Sequence, residues 1–191
     1  MTVPMPAAVV VGASAGAVQA LLTLLPALPP DFPIPVLVVV HVPADRANVL
    51  VSLMQTKCRI MVKEAEDKEP AQGGAVYFAP SDYHLLVEAN GELALSSDET
   101  VNYSRPSIDV LFESAADAYG PELTGIILTG ANHDGAKGLK AIADAGGLAL
   151  VEDPAGAYAS AMPEAALAAC ALARIMTLDA IVDYLKDLGK E

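Results

Sequence analysis

The chain has 191 residues, enough for one domain with a full core, and its 53% hydrophobic, 5% aromatic composition excludes disorder and suits an aliphatic α/β interior. Its 24 acidic and 11 basic residues give a net charge of −13 with no basic stripe, which argues against nucleic acid as a partner. Cys58 and Cys170 stand far apart and in no metal-ligand spacing, as expected for reduced thiols in a cytosolic protein.

In chain order, residues 7–28 are almost uncharged and long enough to imitate a membrane span or a secretory segment. No Lys or Arg precedes Arg46, and Gly, Ser and Gln interrupt the stretch, so stable membrane insertion is not expected. It reads instead as a buried strand, Ala7–Val11, and a helix, Ala17–Leu25, stopped by Pro26 and Pro29-Pro30. Val36–Val40 is a second apolar run without alternation, as in parallel strands covered on both faces. A helix over Asn48–Thr56 and short strands at Ile60–Val62 and Ala75–Ala79 follow. Two alternating segments then flank Asn90-Gly91, the pair favoured by a type I′ hairpin turn, and predict an antiparallel hairpin at one edge. Ser107 is placed to cap a helix reaching Tyr119; Leu123–Leu128 is another buried strand; a helix near Ala136–Ala145 ends at Gly146-Gly147. Strand Leu148–Val151, a helix after Pro163 and an amphipathic helix Leu178–Leu188 complete one domain over residues 1–191. The fold class is α/β, a doubly wound and mostly parallel sheet flanked by helices.

Ligands of such sheets gather at the carboxyl ends of the strands. Ser14 follows the first strand, His41 the second, and Asn132 to Asp134 the run "LTGIILTG", so a hydroxyl, an imidazole and a carboxylate leave three strands at one edge. Gly12-x-Ser14-x-Gly16 fits a nucleophile elbow, in which small flanking residues permit a strained turn exposing the hydroxyl; a helix cap is the plainer reading of the same Ser. Of three histidines, His84 lies in the hairpin as a half-exposed sheet residue, and His133 adjoins Asp134 too closely to be oriented by it. His41 is left as base and Asp134 as its orienting carboxylate, or a turn residue before Gly135. Nucleotide binding competes, but the chain lacks G-x-G-x-x-G, a Walker Lys and an acidic residue ending the second strand; a catalytically silent binding domain is the other rival.

Six stretches taken together (12–16, "HVP" 41–43, "APSDYHLLV" 79–87, "SRPSIDVLF" 104–112, "LTGANHDGAKG" 128–138 and "AMPEAA" 161–166) resemble the catalytic domain of the chemotaxis protein-glutamate methylesterases, the CheB family, over about residues 9–173. The resemblance implies Ser14 as nucleophile, His41 as base and Asp134 as the third triad member, with no metal or cofactor. It further implies hydrolysis of glutamate γ-methyl esters on the cytoplasmic helices of chemoreceptors, with glutamine deamidation as a companion activity. The backbone N–H of Ala131 corresponds to an oxyanion donor; Arg105, Asn132 and Met162 are candidate substrate contacts. Ala17 stands where a second Gly is usual, Ala131 where Met is common, and Asn132-His133 replace Gly and a small or polar residue, so pocket shape is less constrained than reaction type. Many members carry an N-terminal receiver domain; here the first strand begins by Ala7, so control by phosphorylation is not inferred.

Overall fold

The computed structural model describes residues 4–43 and 45–190. Strand β1 (Ala8–Ala13) leads into α1 (Ala17–Leu24), which tightens into a 3-10 turn over Leu25–Ala27 around Pro26. Next come β2 (Val36–Val40), α2 (Ala47–Lys57), β3 (Met61–Glu64) and β4 (Ala75–Phe78). Strands β5 (His84–Val87) and β6 (Leu93–Ser96) precede α3 (Ile108–Tyr119) and β7 (Leu123–Ile127). The chain ends with α4 (Ala136–Asp144), β8 (Leu148–Glu152), α5 (Ala161–Ala169), β9 (Arg174–Met176) and α6 (Leu178–Leu188).

Seven strands form a parallel sheet in the order β3-β4-β2-β1-β7-β8-β9. Every residue of β1, β2 and β7 is buried, which explains their apolar runs without alternation. Successive residues of β1 serve opposite faces: Val9, Val11 and Ala13 join a core with α1, α2 and α6, while Ala8 and Val10 join one with α3, α4 and α5. Strand order reverses about β1, between β2 and β7, which makes the carboxyl ends of these three strands the topological crevice of the sheet.

One local expectation is corrected and one strand is new. The antiparallel hairpin is present as expected, β5–β6 forming a two-stranded sheet of its own packed on α3. Its turn is not type I′: only Gly91 has positive φ (82°), and Gly91 N–H reaches Glu88 O at 2.9 Å across a three-residue loop. Strand β9 was not foreseen, because three residues are too few to carry a periodicity. Among the described residues no helix is long and apolar enough to cross a membrane.

Candidate active site

Parallel pairing fixes the first two site residues. Ala13 is in register with Val40, and His41 N–H donates to Ala13 O at 3.2 Å, so Ser14 and His41 leave adjacent strands side by side. The turn after β1 is tight, with Ala17 N–H on Ser14 O at 2.9 Å, but Ser14 itself is not in the left-handed region; that conformation falls on Gly16 (φ 84°), which caps α1. The strain expected at the nucleophile is therefore carried by a residue without a Cβ. Gly12 serves packing instead: a Cβ there would lie 2.5 Å from Ile108 Cγ2, and Ile108 is the first residue of α3.

Asp134, wholly buried, reaches the N-terminus of that same helix. Its Oδ2 accepts from Ile108 N–H (2.7 Å) and meets His41 Nε2 (2.7 Å); its Oδ1 accepts from Asp109 N–H (3.1 Å), Ser107 Oγ (2.9 Å) and Asn102 Nδ2 (2.8 Å). Ser107 is at the N-cap as expected, yet its hydroxyl does not cap the helix; the carboxylate from another segment takes that place, favoured by its charge at a helix N-terminus. Burial raises the pKa of Asp134, but the bonds from His41, Ile108 N–H, Asn102 and Asp109 N–H outweigh it and hold the carboxyl below the ordinary range. An ionised Asp134 facing Nε2 assigns the proton of neutral His41 to Nε2 and leaves Nδ1 as the basic nitrogen. Nδ1 faces Asn132 Nδ2 at 3.0 Å, and Asn132 Oδ1 accepts from Asp134 N–H at 3.0 Å. Among the described residues Ser14 Oγ makes no hydrogen bond, so Asn132 occupies the position beside the base.

Several supporting groups escaped the sequence reading. Asp109 reciprocates the cap on the next helix, its Oδ1 accepting from Gly135 N–H (3.1 Å) and Gly138 N–H (2.6 Å), while Asn102 Nδ2 bridges its Oδ2 (2.7 Å) to Asp134. Burial pushes the Asp109 carboxyl up, against the bonds it accepts from Gly138 and Asn102. His84 is 2% exposed, contrary to the half-exposed placement: Nε2 donates to Glu99 O (2.8 Å) and Nδ1 accepts from Ser107 N–H (3.2 Å), both satisfied by one neutral tautomer. Thr129 ties two loops to the turn, its O accepting from Ser14 N–H (2.9 Å), its Oγ1 donating to Ala15 O (2.8 Å) and accepting from Ala159 N–H (2.8 Å), and its N–H reaching Glu152 Oε2 (2.8 Å). No spacing rule points to these residues, because their partners lie on segments distant in the sequence.

His41 lines a cleft of about 310 Å³ with Tyr103, Arg105 and Val42; Ser14 lines an adjoining one with Gly16, Tyr158 and the same Val42. Arg105 Nη1 donates to Ser97 O (3.1 Å) and Asp98 O (3.0 Å), while its buried Nε has no partner among the described residues. Met162 is fully buried against Gly130, where a Cβ would lie 2.6 Å from its Cε; it supports the loop from behind, a correction to its reading as a substrate contact. The backbone N–H groups of Ala131 and Ala15 meet no acceptor among the described residues. Among those residues no cluster of three His, Cys, Asp or Glu is disposed to hold a metal; Cys58 and Cys170 are free thiols, and burial pushes the Cys58 thiol up.

Set beside known proteins, residues 9–185 match the family model described as CheB methylesterase. A Leptospira interrogans protein named as a protein-glutamate methylesterase/protein-glutamine glutaminase is 46% identical over 176 residues, 92% of this chain and 91% of that protein. An Anaeromyxobacter dehalogenans protein named protein-glutamate methylesterase/protein-glutamine glutaminase 2 is 40% identical over 182 residues, 95% of this chain but 53% of its own length. The crystal structure of the Thermotoga maritima CheB methylesterase catalytic domain superposes with a TM-score of 0.89 at 32% identity, covering 97% of this chain and all of that one.

Proposed function

The chain belongs to the CheB methylesterase family, and from that premise we propose that it is a serine carboxylesterase hydrolysing γ-methyl esters of glutamate side chains on chemoreceptor cytoplasmic helices, in the cytoplasm and without a cofactor, with residues 1–191 acting as one catalytic domain. The observation that carries the reading is the His41 imidazole, bound through Nε2 to buried Asp134 at 2.7 Å and placed next to Ser14 by the β1–β2 register.

In this mechanism Ser14 Oγ attacks the ester carbonyl while His41 Nδ1 takes the hydroxyl proton, Asp134 stabilising the imidazolium that forms. Asn132 has to yield Nδ1 for this step. Negative charge on the carbonyl oxygen is met by the unpaired N–H groups of Ala131 and of Ala15, the residue after the nucleophile, each such donor being worth about 3 kcal/mol. The imidazolium protonates the departing methoxide, which leaves as methanol, and water cleaves the acyl-enzyme by the same route, leaving a glutamate carboxylate. A glutamine amide entering the same site would release ammonia through the same acyl-enzyme. Arg105 lines the cleft, where its guanidinium offers a charge-assisted donor to the substrate.

The test is methanol release from membranes carrying methyl-labelled receptors, comparing the chain with Ser14→Ala at equal folded concentration. The variant should lose turnover by about 10³-fold or more. Equal release by both proteins would exclude Ser14 as the nucleophile; no release by the unaltered chain would exclude this substrate.

A further inference from the structure

The chain carries no basic stripe in its sequence, and its net charge of −13 repels acidic partners. What it presents at the two clefts instead is aromatic. Tyr103 is 98% exposed and Tyr158 84%, the two most exposed large hydrophobics among the described residues, and each lines one of the clefts that adjoin at Val42.

Tyr103 is held there against its own backbone preference. Val101 and Ser104 exchange both backbone hydrogen bonds at 3.0 Å, closing a two-residue turn over Asn102 (φ 53°) and Tyr103 (φ 60°). Two successive positive φ values define a type I′ turn, whose second central position strongly favours Gly because a Cβ there is strained. A bulky side chain in that conformation persists only when its surroundings fix it. They do: Asn102 Nδ2 is anchored on both Asp109 Oδ2 (2.7 Å) and Asp134 Oδ1 (2.8 Å), so the turn is tied to the carboxylate that orients His41. Packing does not account for the ring, which is almost fully solvated.

We propose that Tyr103 is a docking residue, which with Tyr158 across the two clefts grips the polypeptide surface on either side of the esterified side chain and so selects a protein substrate over a free ester. The partner this fits is the apolar flank of a helix bearing the ester, since tyrosine buries much area at little entropic cost and its hydroxyl tolerates a wet rim. This rests on the esterase reading of the site.

The test compares the unaltered chain, Tyr103→Gly and Tyr103→Phe on methyl-labelled receptor membranes and on p-nitrophenyl acetate, with melting temperatures alongside. Tyr103→Gly should melt higher, by about 2–4 °C, as the left-handed strain is relieved. Its kcat/KM for receptor should nevertheless fall at least tenfold more than that for p-nitrophenyl acetate, with the loss in KM, and Tyr103→Phe should retain most of the receptor activity. A more stable variant that binds its substrate worse is an outcome that a structural role for Tyr103 does not produce. Equal losses on both esters, or receptor kcat/KM within twofold of the unaltered chain, would overturn the proposal and leave the esterase intact. Failure of the unaltered chain to release methanol would overturn both.

Discussion

Asn132 is the residue whose position most changes the chemistry expected of the site. The amide occupies the nitrogen that the mechanism needs free, and it does so while accepting from Asp134 N–H, so it is braced at both ends. Asn132→Ala should therefore release His41 Nδ1 for Ser14 and accelerate acylation by p-nitrophenyl acetate several-fold. The same change should cost about 1 kcal/mol of stability, for the acceptor that Asp134 N–H loses. Acylation slowed more than tenfold would instead make the amide a donor to the transition state. Ser14 and His41 were readable from their places after apolar runs. Asn132 reads from the sequence as a departure in its motif and a candidate substrate contact; its place beside His41 is not legible there, since that distance depends on how the loop after β7 folds back over the crevice.

Among the elements, α3 and α4 show a carboxylate exchange: Asp134, which precedes α4, caps α3, and Asp109, in the first turn of α3, caps α4. The two helices and the triad carboxylate thus hold one another in place. The end of β8 contributes in the same way through Glu152, which is 4% exposed and accepts from Thr129 N–H, fixing the loop that leads to Ala131. Burial pushes the Glu152 carboxyl up. A carboxyl raised on folding stabilises the native state below its unfolded pKa, near 4.3, and that contribution is lost as pH rises through the folded value. Glu152→Gln keeps an acceptor oxygen and removes the titration, so its melting temperature minus that of the unaltered chain should grow steadily as pH is raised through the carboxyl range. A difference independent of pH would show that Glu152 is not charged at the cost of stability. Ser107 and His84 illustrate what element-level reading misses: a Ser at an N-cap and a His in an alternating strand both have ordinary local roles, and both are diverted because a buried carboxylate network lies beside them.

For the molecule as a whole, charge and topology act separately. The net charge of −13 gives the site no long-range attraction for an acidic partner and assists departure of a carboxylate product. On receptor membranes of net negative charge, kcat/KM should accordingly rise as salt screens the repulsion; a marked fall would reveal a local positive field around Arg105 that the overall charge conceals. The sequence by itself determined the strand-turn-helix at Ser14, the strand ending in His41, the parallel α/β class and the membership of the six motifs in one family. Each is a statement about neighbours within a few residues or about an apolar run buried on both faces, and such statements survive without knowledge of the partner. Only the tertiary structure decided that His41 turns Nε2 to Asp134 and Nδ1 to Asn132, that the hairpin stands apart from the main sheet, that His84 and Met162 are buried, and that Tyr103 is held exposed in a strained turn. Those facts depend on which strand ends meet, and the order β2-β1-β7 brings together segments about 90 residues apart (His41 and Asp134 are separated by 93), beyond the reach of any local pattern.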